Sequence, residues 1–232
     1  MDINCYMAMT AAEFIKAKEL PTKLGWMACH FSQSNTGLCD LPDMLPKNAI
    51  IILDDSTPPE DHDPEVVAAQ LTYLVKRLRA DAVLLDFQTK DRPQTVQMVS
   101  YLLQALPCTV CVSAAYAERF SCPVLLPAPA THIFLEDHIR PWRSREIWLE
   151  TTLDTEKITV TEQGSSITAL PYQAPESHWF YEESLCCRYQ IREEASRIIF
   201  TLTRDKEMLE KLLKTTAAKD ISRFIGLYQQ LS

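Results

Sequence analysis

The chain has 232 residues, 47% of them apolar and 23% charged, with a formal net charge of −8. This is globular composition on a chain long enough for a full core, and the acidic balance gives nucleic-acid binding no electrostatic support. No apolar run approaches the roughly 20 residues of a spanning helix, and "MDINCYMAMTAAEFIKAKELPTK" lacks a basic stretch leading into an apolar one, so no membrane partner and a cytoplasmic location are expected.

In chain order, "LGWMACHF" (24–31) reads as a strand, followed by "SQSNTGLCDLPDMLPKN", a long loop dense in turn residues. Gly37 there offers a positive φ, and Asn35 and Thr36 are placed to shape a pocket rim. "AIIILDD" (49–55) is a continuous Ile-rich run, the pattern of a buried parallel strand. In "STPPEDHDP", Asp63 is positioned to cap a helix; Asp61, His62 and Asp63 are adjacent, a poor arrangement for converging on one metal ion. Val67, Leu71, Leu74 and Leu78 then recur at helical spacing, with basic residues toward the C-terminal end. "DAVLLDF" is a strand, and "RPQTVQMVSYLLQAL" is a helix with Pro93 in its first turn. "CTVCVSAAY" and "CPVLLPAP" supply two more strands, and "HIFLE" is a candidate for another.

After about residue 145 the pattern changes. "REIWLETTLDTEKITVTEQGSSITAL" alternates apolar and polar residues around Asp154 and Gly164, as hairpin strands do. "LCCRYQIREEASRIIFTLTRD" holds another strand or pair, and "KEMLEKLLKTTAAKDISRFIGLYQQL" reads as a helix with Met208, Leu212, Ile221 and Phe224 among its apolar positions. Alternating strands and helices imply parallel pairing with right-handed crossovers. A complete (β/α) barrel takes about 250 residues and eight strand–helix pairs, more than this chain provides. The expected fold is therefore α/β, an incomplete or modified TIM-like barrel over 1–145. A β-rich extension and terminal helix over 146–232 would pack as one domain with it.

The eight cysteines do not form a disulfide or metal pattern. Cys108 and Cys111 of "CTVC" fall on opposite faces of an extended strand, and Cys186 and Cys187 are adjacent, so structural thiols and no metal are expected. Four glycines make neither G-x-G-x-x-G nor G-x-x-x-x-G-K, so no nucleotide or other cofactor is expected.

Chemistry in a parallel α/β fold gathers at the C-terminal ends of strands. The polar residues there are His30, Asp54, Asp55, Asp86, Gln88, Ser113 and Tyr116, with Asp137 after "HIFLE". The period of two puts Leu84, Asp86 and Gln88 on one face and Val83, Leu85 and Phe87 on the other. A carboxylate two residues before another polar group suits acid-assisted hydrolysis. The same residues also suit a helix cap or a partner for Lys90 or Arg92, and Asp54 or Asp55 equally suits capping the turn before Pro58. Trp142, Trp148 and Trp179 are candidate stacking surfaces for a sugar, or core residues.

"DAVLLDFQ" (81–88) resembles, without a gap, the D-G-x-D-x-D-x-E signature of family 18 glycoside hydrolases, the chitinases and their relatives. Asp81 matches the first Asp, Asp86 the third, and Phe87 the aromatic before the acid. The preceding helix is also placed as in that family, and "THIFLEDHIRPW" is similar to its later strand ending in an aromatic and an Asp, which points to Asp137. Ala82 replaces the Gly, Leu84 the second Asp, and Gln88 the acid Glu. The resemblance implies that this Glu protonates the leaving oxygen while the neighbouring Asp steers the substrate's N-acetyl group. An amide supplies no titratable proton near neutral pH, and general acid catalysis contributes about 10²–10⁴-fold.

The expected function is that of a degenerate glycoside hydrolase binding a carbohydrate or other small polar ligand without cleaving it. Asp86, Gln88, His30, Asp54, Tyr116 and Asn35 are the candidate contacts. The alternatives are an active glycosidase using a relocated pair, Asp55 with Asp86 or Asp86 with Asp137, and a non-catalytic scaffold or interaction protein. The oligomeric state is open.

Overall fold

A computed structural model describes residues 5–34, 36–59, 62–89, 92–215 and 217–231. The chain divides into two compact units. The first is Met1–Pro127, Ser144–Glu150 and Ser222–Ser232; the second is Ala128–Arg143 and Thr151–Ile221.

The elements in order are β1 (Cys5–Met9), α1 (Ala11–Lys16), β2 (Leu24–Phe31), β3 (Leu38–Cys39), β4 (Ile50–Asp54), α2 (Pro64–Leu78), β5 (Ala82–Asp86), α3 (Pro93–Ala105), β6 (Thr109–Ser113), α4 (Ala114–Ala117), β7 (Val124–Leu126), α5 (Leu135–Ile139), β8 (Ile147–Thr151), β9 (Asp154–Thr161), β10 (Gly164–Leu170), β11 (Phe180–Glu182), β12 (Cys187–Glu194), β13 (Arg197–Arg204), α6 (Lys206–Lys214), β14 (Ile221–Leu227) and α7 (Tyr228–Leu231). Eight strands form a closed parallel barrel in the order β1-β14-β8-β7-β6-β5-β4-β2, and β1 pairs with β2 to complete the ring. The fold is thus a TIM-like barrel. Its modification lies in the crossovers, because among the described residues only α2 and α3 are long outer helices of the first unit, while α4 is a single turn.

Local chemistry sets these helices. Thr10 and Glu13 form a capping box at α1, with Thr10 N donating to Glu13 Oε2 at 2.8 Å. Asp63 caps α2 by accepting from Glu65 N at 2.9 Å, and Pro64 occupies the first turn. Pro93 opens α3 in the same way.

Two apolar clusters line the two sides of the barrel wall. Tyr6, Ala8, Ile50, Ile52, Ala82, Leu84, Cys111, Leu125, Trp148 and Ile225 come from strands alone and fill the interior. Val83, Leu85 and Phe87 face the other way and pack with Val67, Leu71 and Leu74 of α2 and Met98, Val99 and Leu102 of α3. Each such fully buried aliphatic or aromatic side chain stabilises the fold by about 1.5–3 kcal/mol. Gly25 sits at a close approach of strands, where a Cβ would stand 2.9 Å from Ile52 Cδ1 and 3.4 Å from Ala8 Cα.

The N-terminal end of the barrel is closed by polar side chains. Arg223 of β14 stacks 4.6 Å from the Trp148 ring and pairs with Asp81 at 2.5 Å, and Tyr6 donates to the same Asp81 oxygen at 3.1 Å. Burial raises the Tyr6 hydroxyl pKa against the pull of Arg223.

The second unit carries an antiparallel sheet of order β10-β9-β13-β12-β11. Its β9–β10 turn uses Gly164 at φ 135, a backbone region that suits glycine. Buried Arg204 donates to the carbonyls of Pro129 at 2.7 Å and Leu185 at 3.3 Å.

Several sequence expectations change here. The barrel is not confined to 1–145, because β8 and β14 belong to it and the expected boundary is crossed twice. Residues 147–151 form a parallel barrel strand rather than part of a hairpin. The long terminal helix is α6 alone, and 221–227 is a strand whose Ile225 faces the barrel interior. "HIFLE" is not a strand, since 135–139 is helical. Gly37 has no positive φ; it gives way to Gln70, whose Oε1 would lie 2.7 Å from a Cβ and accepts from Leu38 N.

Trp148 is fully buried at the centre of this packing. Trp148→Ala is expected to cost about 3–5 kcal/mol of unfolding free energy, read as a lowered urea midpoint at unchanged slope.

Candidate functional site

The C-terminal end of the barrel gathers polar side chains on inward-facing positions. On β4 and β5 the assignment follows from alternation. Ile50 and Ile52 face inward, so Asp54 does too; Ala82 and Leu84 face inward, so Asp86 does. Asp54 and Asp86 are register partners on adjacent strands.

His30 reaches the same side by a different device. Its strand pairs with β4 at Gly25 and Trp26 and then shifts register before Cys29. Met27 faces inward, Ala28 and Cys29 both pack in the outer layer, and Phe31 is outer again. The extra residue of this bulge turns His30 inward. Its Nδ1 lies 2.9 Å from Asp54 Oδ2, the two side chains being 33% and 30% exposed. The other Asp54 oxygen accepts from Ser56 N at 2.9 Å, so Asp54 both caps the turn and faces the mouth.

Gln88 is exposed and donates its side-chain N–H to Asp86. Burial raises the Asp86 pKa; the Gln88 hydrogen bond opposes this, and the nearby Asp54 and Asp55 charges add to it. Asp55 is itself buried, accepting from Gln88 N at 3.0 Å and Thr89 N at 2.9 Å. It clamps the backbone of Gln88 and Thr89.

Other candidates are placed elsewhere. Tyr116 is buried in the outer cluster against Phe87 and donates to Thr89 O, so it props the loop instead of facing a ligand. Ser113 is buried and donates to Phe87 O. Asp137 lies on α5 in the second unit and pairs with Arg140, so it does not end a barrel strand. Trp148 and Trp179 are buried and offer no stacking face. Asn35 and Lys90 lie outside the described residues. Glu150 was not among the expected residues; it follows Trp148 by two on β8, half-buried at the C-terminal end, and is found once 147–151 is read as a barrel strand.

No protein-family model and no curated protein matches the sequence. Solved structures do match. The spore cortex-lytic enzyme SleL of Bacillus cereus superposes with a TM-score of 0.58 at 10% identity, over 99% of this chain and 71% of that one. A mutant GH18 chitinase from Cycas revoluta gives 0.58 at 10% identity over 96% and 94%. The chitinase-like agglutinin RobpsCRA from Robinia pseudoacacia gives 0.61 at 7% identity over 98% and 95%. The fold is that of the GH18 chitinases.

Within this GH18-like barrel the signature-like segment serves two ends. Asp81 belongs to the closed N-terminal end with Arg223, whereas Asp86 and Gln88 belong to the polar mouth. Among the described residues no group of three His, Cys, Asp or Glu side chains is arranged for a metal ion. Cys29 is buried and its thiol is pushed up to about 12, mainly by burial, which makes it a poor nucleophile.

Folding makes Asp86 harder to ionise, so its protonated form favours the native state. That contribution is full below the ordinary carboxylate pKa near about 4 and is lost as pH rises through the raised folded value. Asp86→Asn is therefore expected to be more thermostable than the parent at neutral pH, with the gain vanishing in acid. Thermal melts across pH check this.

Proposed function

We propose that the barrel mouth binds a saccharide through Asp86 and Gln88 without hydrolysing it. The observation that carries this reading is the Gln88–Asp86 hydrogen bond at the mouth. An amide stands where the resemblance places the acid, and it is held by the carboxylate that would have assisted it. Gln88 retains donor and acceptor capacity for a sugar hydroxyl or acetamido group, but it has no proton to give a leaving oxygen. Asp55 is committed to backbone amides, which removes one relocated acid from consideration.

Two structural neighbours support a carbohydrate ligand. The Cycas chitinase mutant, one of whose substitutions is Glu to Gln, is in complex with (GlcNAc)4, and the Robinia protein is an agglutinin. Loss of the acid and retention of a sugar site are compatible, because recognition needs hydrogen bonds and shape whereas cleavage needs proton transfer.

Calorimetric titration with (GlcNAc)4 tests the proposal. Saturable binding with no release of shorter sugars is expected, and Asp86→Ala is expected to weaken binding by about tenfold or more. Cleavage by the natural sequence, or no binding at all, overturns it. Gln88→Glu, which restores an ionisable group beside Asp86, is expected to raise cleavage about 10²–10⁴-fold above the parent background, measured as reducing ends released.

A further inference from the structure

The antiparallel sheet of the second unit has one apolar and one polar face. Ile167, Ile158, Phe200 and Ile191 are register partners across β10, β9, β13 and β12, and residues paired across strands share a face. One step along each strand, Thr168, Lys157, Thr201 and Gln190 form the matching row on the other side. Such a sheet ordinarily buries its apolar face and leaves the polar one to water. Here the apolar side is open: Ile167 is 50% exposed, Ile191 47% and Ile198 40%. A contiguous apolar face in contact with water marks an association surface.

The pattern on the face selects its occupant, because it repeats about a line between β9 and β13. Ile167 on one side of that line answers Ile191 on the other, and Ile158 answers Phe200. In the next row Val160 answers Ile198, and Ser165 answers Glu193. We propose that two copies of this chain associate through this face, about a twofold axis running along the strands between β9 and β13. The axis lays apolar side chains on apolar ones and aims the Ser165 hydroxyl, a donor, at the partner's Glu193 carboxylate. No carboxylate is set against itself. Two sheets stacked with their strands nearly aligned are an ordinary packing. The inference is independent of what the barrel mouth binds.

Area and charge set the strength. Four strands about 4.8 Å apart and about 20 Å long present roughly 400 Å² in projection. Side chains as exposed as Ile167 and Ile191 stand off that plane, which brings the accessible surface toward the about 800 Å² per partner of a stable interface. Each copy also carries a net charge of −8, and repulsion between copies opposes association. The dimer is therefore a weak one, dissociating at about 10–100 μM, and added salt tightens it by screening that repulsion. A cationic partner on the same face would show the opposite salt dependence.

Sedimentation velocity of the full chain from about 5 to 500 μM tests the proposal. A monomer giving way to a dimer is expected, with more dimer in about 0.5 M than in about 0.05 M NaCl. Ile167→Lys and Ile191→Glu each set a charge against an isoleucine of the other copy. Each is expected to weaken dimerisation about tenfold or more at an unchanged melting temperature. Mixing the two variants should restore association, because one lysine–glutamate and one isoleucine–isoleucine contact then form about the axis. The ¹⁵N-labelled parent gives a readout that needs no variant: dilution shifts are expected at amides 158–160, 165–167, 191–193 and 198–200. Undiminished dimerisation of both folded variants, no recovery on mixing, or dilution shifts centred elsewhere would each overturn the proposal. So would a parent monomeric at about 500 μM, which would leave the face to a different chain.

Discussion

A closed parallel sheet has no edge, so each of its strands must satisfy two environments at once. One set of side chains fills the ring and the alternate set meets the outer layer. Tyr6, Leu84, Cys111, Trp148 and Ile225 answer the first demand, and Val83, Leu85 and Phe87 answer the second. What the barrel presents at its mouth is the continuation of the inward set beyond the apolar packing. Asp54 and Asp86 are there because Ile52 and Leu84 are below them.

The two ends of the ring then take different roles. Arg223 and Asp81 close the N-terminal end with an ion pair laid against Trp148 and Tyr6, a contact whose charges are mutually compensated. The mouth is not compensated in this way. Asp54 and Asp86 share it with His30, and burial, with the charges of Asp54 and the buried Asp55 adding to it, raises the Asp86 pKa. Such tension at strand ends is typical of sites where binding or catalysis has priority over stability.

Central strands were legible in the sequence because burial on both faces leaves a continuous apolar run, as in "AIIILDD" and "DAVLLDF". The strands that close the ring were harder to read. In "ISRFIGL", Ile221, Phe224 and Ile225 recur at helical spacing, yet the ring requires Arg223, Ile225 and Leu227 on one side, and tertiary pairing overrides the local pattern. At the site, alternation puts Asp86 on the face of Leu84. Tyr116 and Asp55 were misread because a strand-end position says nothing about the partner a side chain finds, here the Thr89 carbonyl and the Gln88 and Thr89 amides. Asp137 was misread because its segment is helical.

The bulge in β2 makes the chemistry of that strand a matter of counting. Alternation obeys parity, and the doubled outward step at Ala28 and Cys29 resets it immediately before His30. A strand of the same length without that doubled step would carry the same amino acids to the same rim with their sides exchanged. A benzyl ring would then confront Asp54, and an imidazole would be buried beneath the outer helices. The polarity of the opening on this side is thus written in strand register as much as in residue type.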